Sequence, residues 1–306
     1  MFMGDMGKNS LMVWVVAMRL YSIPLSTIPV IAASVLAYKL CCFDPIPALL
    51  CLAFAALMHI VANLSNDYYD FLKGADDPTH LGFAYLVSNG LLDIKRVFVV
   101  TAGVCVLACA SGLLLLQYAD WWLIFVGLFC VIVAYGYTAG RYALAYHALG
   151  DLAAFVFFGL VATVFSFYVQ VSEFHYTVWI LGAVFGFVVV NILVVNNVRD
   201  VEKDRSVNKT TTIVLFGTRF GERFYLLNGL TASLLCLCFL YEGWIAAAIL
   251  PQVYLLFHLR VWYRLKRAIN PANVRSTSLR CSFDDVLRAT VRNVVLLGVL
   301  IIAGLL

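Results

Sequence analysis

The distribution of apolar residues constrains this chain more than any other feature of its sequence. Nine uninterrupted apolar stretches, most of them about 20 residues long, alternate with polar segments along the 306 residues. A helix needs roughly 20 residues to cross the hydrocarbon core of a bilayer, and its backbone groups must be hydrogen-bonded within the segment. The pattern predicts nine membrane-spanning helices, at about 20–40, 46–65, 97–117, 121–138, 150–170, 177–197, 225–241, 244–261 and 290–306.

The composition agrees with this interpretation. Apolar residues make up 63% of the chain and charged residues 12%, whereas soluble domains are about half apolar and about a quarter charged. The apolar runs are continuous and lack the alternation of barrel strands. We therefore predict an all-α polytopic membrane protein in which residues 1–306 form a single domain. A soluble globule and a small disulfide scaffold are excluded.

The basic residues predict how the chain is oriented in the membrane. All of the 21 lysines and arginines except Lys39 fall in the N-terminal segment or in loops that follow even-numbered spans. Loops on the inner side of a membrane carry an excess of lysine and arginine. The N-terminus is therefore expected inside and the C-terminus outside.

The first of two acidic clusters follows the second apolar stretch. Its sequence is Asn63-Leu-Ser-Asn66-Asp67-Tyr68-Tyr69-Asp70, followed by Lys73 and Asp76. In a helix, residues three or four positions apart are neighbours. The amides and carboxylates of this cluster are therefore expected to share one helix face.

The second acidic cluster follows the sixth apolar stretch. It reads Asn196-Asn197-Val-Arg199-Asp200-Val-Glu-Lys-Asp204-Arg205, with Lys209 close behind. Asn196, Asp200 and Asp204 are four residues apart and share a helix face. Both clusters end even-numbered spans, so both are expected on the inner side. The similarity of residues 63–77 to residues 196–210 hints at an internal duplication, and binding sites lie at the interface of such repeats in other membrane folds.

These residue types favour magnesium chemistry. Carboxylate and amide oxygens are hard ligands, and Mg²⁺ is usually held by a few carboxylates together with substrate phosphates. Five carboxylates close together would repel one another without a metal. The bases that follow each cluster would bind the anion that the metal bridges. We therefore predict a magnesium site that binds a diphosphate at the membrane surface.

The same residues allow other interpretations. Acidic residues at helix ends can be solvated caps, although two such clusters on one side make this less favoured. A cation transporter is a non-enzymatic alternative, but transporter sites lie near the bilayer midplane. The Asp-Gly-x-x-Ala-Arg string of CDP-alcohol phosphotransferases is absent. The nine cysteines and five histidines show no metal-ligand spacing, so they are interpreted as packing residues.

The two clusters resemble the motifs of the UbiA superfamily of intramembrane prenyltransferases. That family carries an Asn-Asp-x-x-Asp motif with a further aspartate, and a second Asp-x-x-x-Asp motif. Here they read Asn66-Asp67-Tyr-Tyr-Asp70 with Asp76, and Asp200-Val-Glu-Lys-Asp204. The resemblance covers essentially the whole chain, including the nine-helix count and the opening Arg19…Pro24…Pro29.

Within the superfamily the chain is most similar to the branch that prenylates 1,4-dihydroxy-2-naphthoate in menaquinone biosynthesis. Three stretches carry this likeness, at residues 63–76, 137–170 and 196–211. The chain departs from the family pattern at two points. Residues 77–90 lack the usual arginine, and Asn208 stands where glycine is usual.

The resemblance implies a magnesium-dependent transfer of a polyprenyl group from an isoprenoid diphosphate to an aromatic acid. The favoured acceptor is dihydroxynaphthoate, which loses its carboxylate to give demethylmenaquinone; 4-hydroxybenzoate and homogentisate are alternatives. The enzyme would lie in the bacterial inner membrane with its site on the cytoplasmic side, a lipid-facing groove for the prenyl tail and no nucleic-acid partner. The implied residues are Asp67, Asp70, Asp200 and Asp204 for catalysis; these four with Asn66, Asp76 and Asn197 for the metal; Arg19, Lys73, Arg205 and Lys209 for the diphosphate; and Tyr137 and Arg141 for the acceptor.

Overall fold

Helices account for the regular structure of the protein. The computed structural model describes residues 10–75, 83–269 and 278–306. Besides short 3-10 turns, its helices are α1 (Leu11–Ala17), α2 (Leu20–Lys39), α3 (Pro45–Leu72), α4 (Phe83–Ser88), α5 (Ile94–Gln117), α6 (Leu123–Gly136), α7 (Gly150–Val171), α8 (Tyr176–Arg199), α9 (Val201–Ser206), α10 (Thr212–Phe216), α11 (Thr218–Glu242), α12 (Ile245–Ile269) and α13 (Ser278–Leu305).

Local sequence signals determine where several helices begin. The side chain of Asp44 accepts a hydrogen bond from the backbone N–H of Ile46 at 3.0 Å, and Pro45 occupies the first position of α3. Asp93 caps α5 in the same way, through the N–H of Lys95 at 2.9 Å. An aspartate at this position satisfies one of the N–H groups that the helix itself leaves without a partner.

The prediction of an all-α polytopic membrane protein is confirmed. Eight helices within the described ranges are long and apolar enough to cross a membrane. The stretch predicted at 121–138 corresponds to α6, which has 14 residues and is about 21 Å long, shorter than the bilayer core of about 30 Å. The count of nine spans and the orientation of the termini therefore remain predictions.

Four helices extend well beyond their predicted spans. Helix α3 continues to Leu72, α11 begins at Thr218, α12 continues to Ile269 and α13 begins at Ser278. Hydropathy marks where an apolar run ends, but helical hydrogen bonding continues through the polar residues beside it. As a result, the first acidic cluster lies on the last turns of α3.

Helix α8 lies in the core of the helix bundle and packs closely against α7. Most of its residues are buried, from Val178 to Val198. Helix α7 adopts π-helical hydrogen bonding over Phe155–Phe165, a form that is often found at functional sites. Gly159 of this π segment faces Gly182 and Gly186 of α8. Because Gly182 and Gly186 have no side chains and are four residues apart, they let the backbones of α7 and α8 approach closely.

We expect Gly159→Ala to destabilise the protein by about 2 kcal/mol or more, the typical cost of overpacking. An added Cβ would lie 2.5 Å from the Cα of Gly186 and 2.6 Å from the carbonyl oxygen of Gly182, so the helices would have to separate. Thermal unfolding in detergent measures the effect. Gly103→Ala in α5 is the matched control, since a Cβ there meets no atom within 4 Å. Equal melting temperatures for the two variants would contradict the prediction.

Candidate active site

A cavity of about 850 Å³ lies among the helices and brings the two acidic clusters together. Its polar end is lined by Arg19, Asn63, Asn66, Asp67, Asp70, Tyr137, Asn196, Asn197, Arg199, Asp200, Lys203, Asp204, Lys209 and Asp284. The rest of its wall is largely apolar and comes mainly from α2, α3, α5, α6, α7 and α8. Two strings more than 120 residues apart in the chain thus belong to one site.

The first cluster presents its oxygens from one face of α3. Asn66 Oδ1 accepts a hydrogen bond from Thr138 Oγ1 at 2.8 Å. Asp67 is buried and forms an ion pair with Arg19. Asp70 Oδ1 accepts a hydrogen bond from the Tyr146 hydroxyl at 2.8 Å, and its Oδ2 lies 3.1 Å from Lys209 Nζ. Each carboxylate is therefore neutralised by a cation.

Arg19 reaches Asp67 from a strained point in the backbone. It has a φ of 51°, in the left-handed region, between α1 and α2. Residues other than glycine adopt this conformation infrequently, and such residues cluster at functional sites. The conformation supports the prediction that Arg19 belongs to the site.

The second cluster begins where α8 ends. Arg199 binds Asp200 through two hydrogen bonds, at 2.9 and 2.7 Å, and its third nitrogen lies 3.3 Å from Asp284 Oδ1. Asp284 belongs to α13, so this contact ties the cluster to the last helix. The N–H of Asp204 still donates to the carbonyl of Asp200 at 2.8 Å, and the predicted spacing of four residues therefore survives the break between α8 and α9.

A tight turn after α9 carries Lys209 towards the first cluster. Asn208 has a φ of 55°, and the N–H of Lys209 donates to the Asp204 carbonyl at 2.8 Å. Glycine is the usual residue in this left-handed conformation, and asparagine also tolerates it. Asn208 therefore preserves the turn, although glycine is usual at this position in the family.

The loop after α6 is hydrogen-bonded to this turn and contains Tyr146, which was not predicted from the sequence to belong to the site. The N–H of Ala148 donates to the Thr210 carbonyl at 2.7 Å, and that of Thr210 to the Tyr146 carbonyl at 3.3 Å. The ring of Tyr146 lies 4.1 Å from Lys73 Nζ and 5.4 Å from Lys209 Nζ. Tyr146 therefore positions Asp70 and two of the predicted diphosphate-binding lysines. The only sequence signal for this role of Tyr146 was its position within residues 137–170, a stretch that resembles the family.

The oxygen donors fit magnesium bound together with its ligand rather than in a closed cage. In the parts of the chain that the structure describes, no three carboxylate, imidazole or thiol side chains come close enough to hold one ion. Mg²⁺ commonly takes one or two protein carboxylates and fills its remaining positions with phosphate oxygens and water. Asp70 and Asp200 keep lone pairs beyond those used by their basic partners, because a carboxylate accepts about four hydrogen bonds.

Burial raises the pKa of the Asp204 carboxyl to about 6, with a smaller contribution from the nearby charge of Asp200. In the unfolded chain an aspartate has a pKa near 3.9. The folded protein thus binds the proton more tightly, and its free energy of unfolding falls as the pH rises from about 4 through about 6. Asp204 therefore costs stability at neutral pH.

We expect Asp204→Asn to raise the melting temperature by about 3 °C at pH 7.5 in EDTA, because the amide carries no charge to bury. At pH 5 the difference should shrink, since the wild-type carboxyl is then largely protonated. Thermal unfolding in detergent at both pH values measures the effect. The control is Asp285→Asn, at an exposed residue paired with Arg288. A gain that is equal at both pH values would contradict the assignment.

Some predicted residues lie at the edge of the cavity or beyond it. Lys73 Nζ donates to the carbonyl of Thr138 at 2.6 Å. Arg205 pairs with Glu202 at 3.1 Å and is half-exposed. Arg141 is exposed and lies 6.0 Å from the ring of Tyr142. These three do not line the cavity. Asp76 lies outside the described residues.

The structure also places residues in the wall that sequence analysis did not assign to the site. Lys203 and Asp284 line the polar end, and His59 lines the deeper part. Asp284 lies 85 residues beyond Arg199 and in no motif, so only tertiary contacts reveal it. His59 precedes Asn63 by one helical turn, a spacing that could have indicated its position on the same face.

The apolar part of the cavity extends to the outer surface of the bundle. Phe157, Phe158 and Phe165 of α7 contribute aromatic walls. Leu113 of α5 and Ile124 of α6 also line the cavity and are 55% and 44% exposed. Exposed apolar residues of α5 and α6 therefore form part of the cavity wall.

Comparison with known proteins identifies the family. The model of the UbiA prenyltransferase family matches residues 26–283. A 1,4-dihydroxy-2-naphthoate octaprenyltransferase of Escherichia coli (strain K12) is 33% identical over 235 residues, which cover 73% of this chain and 74% of that protein. The described fold also matches a solved UbiA homologue from Aeropyrum pernix K1, with a TM-score of 0.70 and 17% identity over 94% of this chain and 98% of that one.

A second solved structure, a UbiA homologue from Archaeoglobus fulgidus, is bound to GPP and Mg²⁺. It matches with a TM-score of 0.61 and 13% identity, over 94% of this chain and 99% of that one. At this identity the likeness shows the fold alone. The family match covers most of the chain and includes both acidic clusters, so this integral membrane protein belongs to the UbiA prenyltransferase family.

Proposed function

We propose that the protein transfers a polyprenyl group from an isoprenoid diphosphate to 1,4-dihydroxy-2-naphthoate, with loss of the acceptor's carboxylate. One observation carries the proposal: a single cavity joins both acidic clusters to a long apolar chamber inside a helical membrane protein. A diphosphate suits the polar end and a prenyl chain suits the apolar part. The naphthoate relative from Escherichia coli favours this acceptor over 4-hydroxybenzoate and homogentisate.

The residues of both clusters would hold the donor's head. Mg²⁺ on the oxygens of Asn66, Asp67, Asp70, Asp76, Asn197, Asp200 and Asp204 would neutralise the diphosphate and stabilise its charge as it leaves. Lys209 and Arg19, now paired with Asp70 and Asp67, lie where they can also bind phosphate oxygens. Lys203 adds a third cation to the same wall. Lys73 and Arg205 are proposed for the outer rim.

The apolar wall would then control the reacting carbon. The C–O bond to the diphosphate breaks, and the electron pair leaves with the phosphate oxygen. The allylic cation needs a dry environment and aromatic faces, which Phe157 and Phe158 provide. A carbon of the electron-rich ring forms the new C–C bond, and the carboxylate is lost as CO₂. Tyr137, in the wall, and Arg141, beyond it, are proposed to bind the acceptor, since a guanidinium matches a carboxylate.

The charge distribution supports a location in the bacterial inner membrane with the site on the cytoplasmic side. The acidic clusters lie among the bases that the positive-inside rule assigns to that side.

A magnesium-dependent assay on membranes containing the protein tests the proposal. Farnesyl and longer diphosphates are offered with dihydroxynaphthoate, 4-hydroxybenzoate and homogentisate, with and without EDTA. We expect a prenylated, decarboxylated naphthalene product that disappears with EDTA and returns with Mg²⁺. Transfer to another acceptor only would contradict the naphthoate assignment. No transfer to any acceptor would contradict prenyl transfer itself.

A further inference from the structure

His59 is a buried polar residue in the cavity wall that the proposed reaction has not used. It lies on α3, one turn before Asn63 and two turns before Asn66, and is 5% exposed. Both asparagines also line the cavity, so the three side chains share one face of the helix. His59 lies about 10 Å deeper along the helix axis than Asn66, beyond the acidic residues.

The hydrogen bonds around His59 favour one tautomer of its ring. The hydroxyl of Ser22 donates to the carbonyl of Arg19 at 2.8 Å. A hydroxyl has a single hydrogen to donate, so Ser22 can only accept from the imidazole. His59 Nε2 lies 2.9 Å from Ser22 Oγ, so the tautomer that fits this arrangement has its hydrogen on Nε2. In the neutral ring, Nδ1 is then a hydrogen-bond acceptor.

This Nδ1 has no partner among the described residues, although it is buried. On the other side, Phe158 packs edge-on against the imidazole, with ring centroids 5.1 Å apart. Leaving a buried acceptor without a hydrogen bond costs free energy. The site is therefore suited to a ligand that brings an O–H or N–H group to this depth.

Of the molecules in the proposed reaction, only the aromatic acceptor brings such a group. A prenyl tail has no polar hydrogen, and a diphosphate offers acceptor oxygens that Nδ1 would repel. Resting on the proposed function, we infer that His59 Nδ1 accepts a hydrogen bond from a ring hydroxyl of the acceptor and thereby selects hydroxylated aromatic rings. The hydroxyl keeps its proton, and the hydrogen bond increases the electron density that its oxygen donates to the ring.

Two substitutions separate this role from a structural one. In His59→Asn the amide oxygen takes the place of Nδ1, and the contact with Ser22 is lost. In His59→Gln the amide N–H still donates towards Ser22, but there is no acceptor at the position of Nδ1. We expect His59→Gln to lower kcat/KM for the hydroxylated acceptor about tenfold, the effect of one hydrogen bond. His59→Asn should retain more activity, and the donor KM should stay within about twofold of wild type in both variants.

An acceptor whose ring hydroxyls are methyl ethers provides the chemical control. Wild type and His59→Gln should use it equally poorly, because neither can form the hydrogen bond. Higher activity in His59→Gln than in His59→Asn, or an equal loss with both acceptors, would overturn the inference and leave His59 as a packing residue. Melting temperatures in detergent check that both variants fold. If His59→Gln does not fold, Ser22→Ala replaces it: without the Nε2 partner the ring can place its hydrogen on Nδ1, and we expect kcat/KM for the hydroxylated acceptor to fall while the methyl ether is used as poorly as by wild type.

The wild-type assay distinguishes this inference from the proposed function. If the wild type transfers no prenyl group to any hydroxylated aromatic, the proposed function fails. If it does and the His59 variants keep the acceptor KM and kcat of wild type, only the inference about His59 fails.

Discussion

Asp70→Ala is expected to abolish prenyl transfer, with a loss of about a thousandfold or more, while the protein still inserts into membranes. Asp70 connects three parts of the site, because it accepts from Tyr146, pairs with Lys209 and belongs to the proposed metal ligands. Removing one group that stabilises charge in a transition state costs about 10²–10³ in rate. Loss of a metal-binding carboxylate adds weaker binding of the donor.

Product formation from a labelled isoprenoid diphosphate, with membrane extraction and size-exclusion profiles, measures the effect. Glu202→Ala is the matched control: it also removes an acidic residue near the second cluster, but Glu202 is 82% exposed and pairs only with Arg205 among its described ion-pair partners. We expect near wild-type turnover for the control. Turnover in Asp70→Ala within a few-fold of wild type would refute the assignment of the acidic clusters to the metal and the diphosphate.

Lys209→Met is expected to lower kcat/KM for the donor about a hundredfold with little effect on the acceptor KM. The ammonium lies between Asp70 and the ring of Tyr146 and lines the cavity. Its loss leaves Asp70 less neutralised and removes a cation that stabilises the departing diphosphate. Charge-assisted contacts of this kind are worth more than neutral hydrogen bonds, particularly in a site that excludes water.

Initial rates with each substrate varied in turn measure this effect. Lys209→Arg should recover part of the activity, since the positive charge is kept. Lys266→Met is the control, because Lys266 is about half-exposed and pairs with Glu222 at 3.7 Å. A change confined to the acceptor KM would place Lys209 with the acceptor and contradict the proposal for the diphosphate.

Ion pairs neutralise three of the acidic residues of the site. Asp67 has Arg19, Asp70 has Lys209 and Asp200 has Arg199, each within ion-pair distance. The bases were predicted to bind the anion that the metal bridges. In the structure the bases also neutralise the carboxylates, and an entering diphosphate would compete with those carboxylates for the same cations.

Local patterns were sufficient to predict the helices and the two motifs. Apolar runs of about 20 residues determine membrane helices because no other backbone arrangement satisfies its own hydrogen bonds in lipid. The spacing of Asn66, Asp67 and Asp70 places them near one another whatever the rest of the chain does. The extension of α3 through these residues to Leu72 was missed, because hydropathy measures partition into lipid and not helical hydrogen bonding.

Contacts between distant parts of the chain had no local signal. The pairing of Arg199 with Asp284, the reach of Lys209 to Asp70, and the clasp between the loops of Tyr146 and Thr210 all depend on how the helices pack. His59 was interpreted as a packing residue, since an isolated histidine in an apolar run has no pattern that distinguishes the two roles.

The sequence by itself determined that this chain is a helical membrane protein with two acidic motifs of the UbiA type. Both properties follow from residue spacing along single helices. Only the tertiary structure decided that the motifs line one cavity, which cation faces which carboxylate, and that His59 has an acceptor nitrogen without a protein partner among the described residues. These depend on the distances between helices, which close packing determines and which sequence spacing does not encode.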